Sequence, residues 1–185
     1  SRQSFHGFNG FPTDRPLIII ANHQSLFDIS PVVWAFRRHH PKFISKIELG
    51  KGIPSISYNL RKGGSALIDR SNRGQSLKEI AQLGSRIAAS NYAACIFPEG
   101  TRSRNGILKR FKTGGVDALL TAAPSALIVP FVIDGNCRLL EYGYWPLRFG
   151  VTTRYTALDP IEPAGRPVDE IVRHAEAAIR KALGQ

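Results

Sequence analysis

Apolar positions fall in two rhythms along this chain. Leu17–Ala21, Ala66–Ile68, Tyr92–Phe97 and Leu127–Ile133 are short unbroken runs with the length and β-branched content of buried strands. Between them the apolar residues recur at helical spacing. Ser76–Ala89 sets Leu77, Ile80, Leu83 and Ile87 on one face, Asp28–Arg38 reads as a helix stopped near His39-His40-Pro41, and Gly115–Ala123 reads as a further helix. Lys42–Ser45 is a short strand candidate and Phe149–Ala157 an edge strand, while the Gly-, Pro- and Ser-rich stretch Glu48–Gly64 reads as loop with a short helix.

The closing helix, Val168–Leu183, is the clearest element. Pro167 fits its first position, Asp169 and Glu170 its first turn, Arg180 and Lys181 its last, and Gly184 its exit. Val168, Ile171, Val172, Ala175, Ile179 and Leu183 form its apolar stripe. Residues 1–16 lack periodicity and read as a covering segment whose Phe5, Phe8 and Phe11 pack on the body, with lipid as the alternative target. Strands alternating with helices over 185 residues predict one α/β domain with a full core.

Three of the apolar runs empty into polar turns: Asn22–Asp28, Asp69–Arg73 and Pro98–Arg104. In an open α/β sheet such strand ends gather along one edge, where ligands bind. The first turn holds a base and a carboxylate, His23 and Asp28. On a single helix these would point about 140° apart. They meet only if His23 stays in the loop and Asp28 enters the first helical turn. Ser25 is a good N-cap with Asp28 three positions on, which favours that break. The plainer alternative makes Asp28 only half of a capping box and His23 a polar loop residue. The third turn leads into Arg102, Arg104, Lys109, Arg110 and Lys112, a dense positive stretch suited to phosphate or to solvent.

Composition narrows the partners. With 21% charged and 43% hydrophobic residues the chain is globular rather than disordered. A net charge of +11 asks for an anionic counterpart: nucleic acid, a phosphorylated substrate or an acidic membrane surface. No zinc, helix-turn-helix or aromatic-platform signature supports nucleic acid, and the basic residues cluster in loops. The longest apolar tract, Ala126–Ile133, is far short of the ~20 residues of a membrane-spanning helix. Since the sequence opens on Ser1 and has no methionine, it is expected to be part of a longer chain carrying a membrane anchor upstream. Cys95 and Cys137 lack metal-ligand spacing, no metal-ligand cluster stands out, and Cys95 within an apolar run suits a reducing compartment.

Taken together, His23-Gln-Ser-Leu-Phe-Asp28, Gly64-Ser-Ala-Leu-Ile-Asp-Arg70, Phe97-Pro-Glu-Gly-Thr-Arg-Ser103 and Leu127-Ile-Val-Pro-Phe131 resemble the four ordered motifs of the glycerolipid acyltransferase family. The resemblance runs from about Pro16 to Ile133 and is nearest to the bacterial 1-acyl-sn-glycerol-3-phosphate acyltransferases. The pieces Lys46-Ile-Glu-Leu49 and Ile53-Pro54 fall where the family has similar ones. Leu67 stands where the second motif usually has an aromatic, and Glu141-Tyr-Gly-Tyr-Trp145 matches no family feature that assigns a head group.

The resemblance implies a single α/β domain spanning 1–185, with a mixed, mainly parallel sheet flanked by helices. It implies transfer of a fatty acyl group from a thioester, on coenzyme A or acyl carrier protein, to the hydroxyl of a lysophospholipid acceptor. His23 would be the general base and Asp28 its orienting carboxylate. Arg70, Glu99, Gly100, Thr101 and Arg102 would form the acceptor-phosphate site, with Pro130 in an acyl-donor or structural wall. No cofactor or metal is expected beyond the thioester co-substrate. The anionic membrane surface on the cytoplasmic face is the expected location. A non-catalytic lipid-binding domain is the rival from another class. Within the enzyme class, lysophosphatidylcholine, glycerophosphocholine and glycerol-3-phosphate are the rival acceptors.

Overall fold

In the computed structural model of the chain, residues 2–8, 10–50, 57–58, 60, 62–143 and 146–185 are described. Ile53-Pro54, much of the loop expected over Glu48–Gly64, and Tyr144-Trp145 lie outside them. The strands are β1 (Arg2–His6), β2 (Leu17–Ala21), β3 (Lys42–Lys46), β4 (Ala66–Ile68), β5 (Ala93–Ile96), β6 (Leu127–Asp134) and β7 (Thr152–Ala157). They form one sheet in the order β1-β7-β6-β2-β5-β3-β4. Every neighbouring pair is parallel except β6–β7, so the sheet is mixed and mainly parallel. The helices are α1 (Ile29–Ala35), α2 (Arg73–Ser90), α3 (Gly114–Ala122) and α4 (Val168–Ala182).

β2 sits in the middle because both of its faces are apolar. Ile18 and Ile20 point to the layer built by α2, α3 and α4, where they meet Leu83, Ile87, Leu119 and Ile179. Leu17, Ile19 and Ala21 point to the other face, against Val32, Phe36 and Phe131. All five β2 residues are fully buried, and each large one contributes about 1.5–3 kcal/mol of burial. Gly84 lets α2 and α3 approach closely: a Cβ there would fall 2.7 Å from the Ala122 side chain. Parallel pairing of β2 with β5 and β6 lines up the strand exits on one edge.

Three elements differ from the sequence reading. Residues 2–6 form an edge strand, paired in parallel with β7. Phe5 packs on Tyr155, Phe8 on Phe131 and Phe11 on Phe36, so the covering segment is knitted into the second core layer. The helix expected over 28–38 is a helical path in three pieces: a 3₁₀ turn at Leu26–Asp28, α1, and a second 3₁₀ turn at Arg37–His39 ended by His40 in the left-handed region. The last strand begins at Thr152, leaving Phe149 on the exposed turn before it.

Candidate active site

The polar turn after β2 holds the site. Ser25 caps the 3₁₀ turn in extended conformation, and Asp28 closes the capping box by accepting the Ser25 N–H over 2.9 Å. The same carboxylate oxygen, Oδ2, accepts the Gln24 N–H at 2.6 Å and lies 2.7 Å from His23 Nδ1. Capping and ion pairing are therefore not alternatives here. The cap places Asp28 where the imidazole folds back onto it.

Asp28 is fully buried. Oδ1 accepts the side-chain amide of Asn136 at 2.8 Å, and Asn136 Oδ1 accepts the Tyr155 hydroxyl at 2.8 Å. A buried carboxylate thus has its lone pairs satisfied, as its desolvation demands. Asn136 reaches it because Gly135, at φ 86°, turns the chain out of β6; a Cβ at Gly135 would run into the Thr152 carbonyl oxygen. On the open side, the His23 ring stacks on Phe97 with centroids 4.2 Å apart and planes at 21°. Nδ1 faces the Asp28 oxygen, so in the neutral ring the tautomer that donates from Nδ1 is favoured and Nε2 is the nitrogen with the free lone pair.

Glu99 is buried and faces inward. Oε1 accepts the His23 N–H at 2.7 Å; Oε2 accepts the Lys109 N–H at 3.0 Å and the Ser103 hydroxyl at 2.9 Å. The Ser103 N–H in turn donates to the His23 carbonyl at 2.7 Å. These bonds lock the loop after β5 against the loop after β2. Glu99 positions the two loops, and its partners are main chain and a serine rather than the guanidinium of Arg102. Gly100, at φ 70°, completes the turn in which its N–H donates to the Phe97 carbonyl. Thr101 is exposed beyond it.

Arg102 borders a cavity of about 540 Å³ with Gln24, Arg104 and Arg138, and its carbonyl accepts the Lys109 ammonium at 3.1 Å. Gln24 Oε1 accepts the Cys137 N–H, tying the cavity floor to the turn after β6. Arg70 does not join this cavity. It is exposed on the turn after edge strand β4, three strand spacings from β2, roughly 14 Å. Pro130 is buried in mid-β6 with Ile20 opposite it, and its carbonyl accepts the Leu158 N–H. That is a structural position within the sheet. Asn22 extends the β2–β6 pairing with its side chain, exchanging two 2.8 Å bonds with the Ile133 main chain.

Asn136, Tyr155 and Arg138 come to the site from beyond the last motif, and nothing local in their sequence announces them. Among the described residues no group of His, Cys, Asp and Glu is arranged to hold a metal ion, and no helix is long and apolar enough to cross a membrane.

Residues 2–134 match the family model described as Acyltransferase. The chain belongs to that family. It is 30% identical over 174 residues to a 1-acyl-sn-glycerol-3-phosphate acyltransferase of Chlamydomonas reinhardtii, an alignment covering 93% of this chain and 50% of the relative. It is 28% identical over 158 residues to the Haemophilus influenzae 1-acyl-sn-glycerol-3-phosphate acyltransferase, covering 83% and 61%. Among solved structures, the 1-acyl-sn-glycerophosphate (LPA) acyltransferase PlsC of Thermotoga maritima superposes with a TM-score of 0.79 at 26% identity, over all of this chain and 71% of that one. The chain spans about half the length of several of the curated relatives it matches. The mixed sheet flanked by helices is thus the fold of an acyltransferase with known structure.

Proposed function

We propose that the protein transfers a fatty acyl group from a thioester to the free hydroxyl of a lysophospholipid, with 1-acyl-sn-glycerol-3-phosphate as acceptor and phosphatidic acid as product. The observation that carries this reading is the His23–Asp28 pair at 2.7 Å, set at the edge of the sheet where Gln24 leads into an arginine-lined cavity. The names of the relatives support the choice of acceptor.

Alcohols are poor nucleophiles until a base removes the proton as they attack, and a neutral imidazole has a suitable pKa. His23 Nε2 takes the proton of the acceptor hydroxyl as its oxygen bonds to the thioester carbonyl carbon. The tetrahedral intermediate then expels the thiolate, which recovers that proton from the imidazolium. Asp28 holds the tautomer and stabilises the transient positive charge, the part a carboxylate plays in serine hydrolases. The acceptor brings its own hydroxyl, so no acyl-enzyme is needed. Arg102, with Arg104 and Arg138, receives the acceptor phosphate in their shared cavity; guanidinium forks match phosphate geometry. Arg70 lies outside that cavity.

The test is release of free thiol from purified protein given acyl-coenzyme A or acyl carrier protein thioesters and a panel of lysolipids, beside His23→Ala. Acceptor-dependent release that vanishes in the variant is expected, and the best acceptor names the head group. If neither donor gave acceptor-dependent release, the reading would give way to a lipid-binding domain without turnover.

A further inference from the structure

Gln24 follows the base directly in the chain and lines the cavity of about 540 Å³. It is only 3% exposed. Its main-chain N–H donates to Asp28 Oδ2 at 2.6 Å, and its side-chain oxygen accepts the Cys137 N–H at 3.2 Å. The second bond fixes which way the amide points, because only the oxygen of an amide can accept from a main-chain N–H. The NH2 group is the free end. Nε2 has no hydrogen-bond partner among the described residues, and it is not sealed off either. His39 Nδ1 is the only fully buried side-chain polar atom among them that lacks a partner. A donor held at this depth is met by whatever fills the cavity.

The remaining wall is rich in donors and poor in free acceptors. Arg102, Arg104 and Arg138 border it, and among the described residues none of the three is paired with a carboxylate. Of the side chains in the wall that can accept, Glu141 is paired with Arg148, and Asn105 Oδ1 accepts the Ile107 N–H. Gly106, at φ 77°, brings its loop against Gln24 and Cys137. A Cβ there would stand 3.2 Å from Cys137 Sγ and 3.9 Å from Gln24 Nε2. The Gly106 carbonyl is taken by Gln185 Nε2 at 2.9 Å. Free guanidinium groups beside a free amide N–H suit a ligand group that only accepts, as the dianion of a phosphate monoester does.

We infer that Gln24 is an acceptor-binding residue of the acyl transfer: its Nε2 donates to the phosphate oxygen nearest the reacting hydroxyl and so sets that hydroxyl against His23. The inference rests on the acyl-transfer reading and deepens it. In a 1-acyl-sn-glycerol 3-phosphate, one carbon and one ester oxygen separate the hydroxyl-bearing carbon from phosphorus. A phosphate on so short a tether must lie close to the base, and among the residues lining the cavity Gln24 is the one bonded to His23 in the chain. The arginines supply charge on long, flexible stems. The amide supplies direction, since its oxygen is pinned to Cys137. A site that aims an N–H at an expected oxygen also rejects an acceptor lacking that oxygen, because the donor is then left unpaired.

The direct test is NMR on the intact chain and needs no turnover. The Gln24 side-chain NH2 signals, assigned through their proximity to the Cys137 amide proton, should shift on titration with sn-glycerol 3-phosphate and stay in place with glycerol. Kinetics on Gln24→Glu give a second readout. That variant keeps an oxygen for the Cys137 N–H and turns a carboxylate oxygen, which cannot donate, into the cavity. Its KM for 1-acyl-sn-glycerol 3-phosphate should rise roughly tenfold or more, while its KM for acyl-coenzyme A is unchanged. NH2 signals that do not move, an unchanged acceptor KM, or equal rises in both KM values would overturn the proposal. Should Gln24→Glu fail to fold, the titration of the parent alone decides. Shifted signals in a protein that transfers no acyl group would keep the phosphate contact while refuting the acyl-transfer reading and the acceptor role built on it.

Discussion

The side-chain amide of Asn136 donates to Oδ1 of Asp28 over 2.8 Å, across 108 residues of chain. Nothing in the four motifs points to this contact, yet it fixes the carboxylate that faces His23. Replacing Asn136 by Ala removes a charge-assisted bond and strands the buried Tyr155 hydroxyl. We expect a loss of about 2–3 kcal/mol in urea unfolding together with a fall in kcat, while the acceptor KM stays near its original value. Tyr155→Phe removes only the outer bond and should cost about 1 kcal/mol with little change in kcat. Equal effects of the two substitutions on kcat would show that Asn136 acts through packing alone.

His23→Ala should leave the fold intact, because the ring is held by one side-chain bond and one stacking contact at the surface of the core. The rate should fall by roughly 10²–10⁴-fold. Asp28→Asn tests something different. Asn136 donates to one oxygen of that carboxylate and two main-chain N–H groups to the other, so an amide there sets its NH2 against the donors on one side, and both stability and rate should drop. Circular dichroism and thiol release measured on the same samples separate the two cases. Retained turnover in His23→Ala would remove the base from the mechanism.

How much of this was legible in the sequence follows from how local each feature is. The strand Leu17–Ala21, the Ser25 cap and the approach of Asp28 to His23 all lie within one short stretch, so propensity and spacing suffice to read them. The closing helix is equally self-contained. β1 was not legible, because Arg2–His6 has no alternation and owes its strand geometry to pairing with Thr152–Thr156 at the far end of the chain. The inward-facing role of Glu99 was hidden for a related reason. Its partners at His23, Ser103 and Lys109 depend on two loops meeting, whereas the resemblance says only that Glu99 belongs to the acceptor-phosphate site.

Arg102 borders the cavity of about 540 Å³ with Arg104 and Arg138, where the proposed mechanism seats the acceptor phosphate. Arg102→Ala should raise the acceptor KM by roughly tenfold or more, as expected for a lost charged bond to phosphate. The donor KM should not move. Arg138→Ala should act in the same direction, and its effect should shrink when an acceptor without a phosphomonoester is used. Measuring both KM values for each variant decides the point: a rise in the donor KM alone would place these arginines on the wrong substrate.

His39 carries a pH dependence of stability that lies away from the site. It is buried behind Phe36, with Nε2 3.1 Å from the Pro12 carbonyl, and burial lowers its pKa below the ordinary value despite the opposing pull of the Pro12 and Phe11 carbonyls. The folded protein therefore prefers the neutral ring, while the unfolded chain protonates near pH 6.5. Between the lowered folded pKa and about 6.5 the unfolded state binds more protons, so stability rises with pH through that window and falls as the solution is acidified. Below the folded pKa both states are protonated and the loss levels off. The slope from this one group reaches at most about 1.4 kcal/mol per pH unit. Gln at this position can still donate to Pro12 and does not titrate. Urea midpoints at pH 7.5 and pH 5 should therefore fall further in the parent than in His39→Gln, and parallel losses in the two proteins would assign the acid sensitivity to other groups.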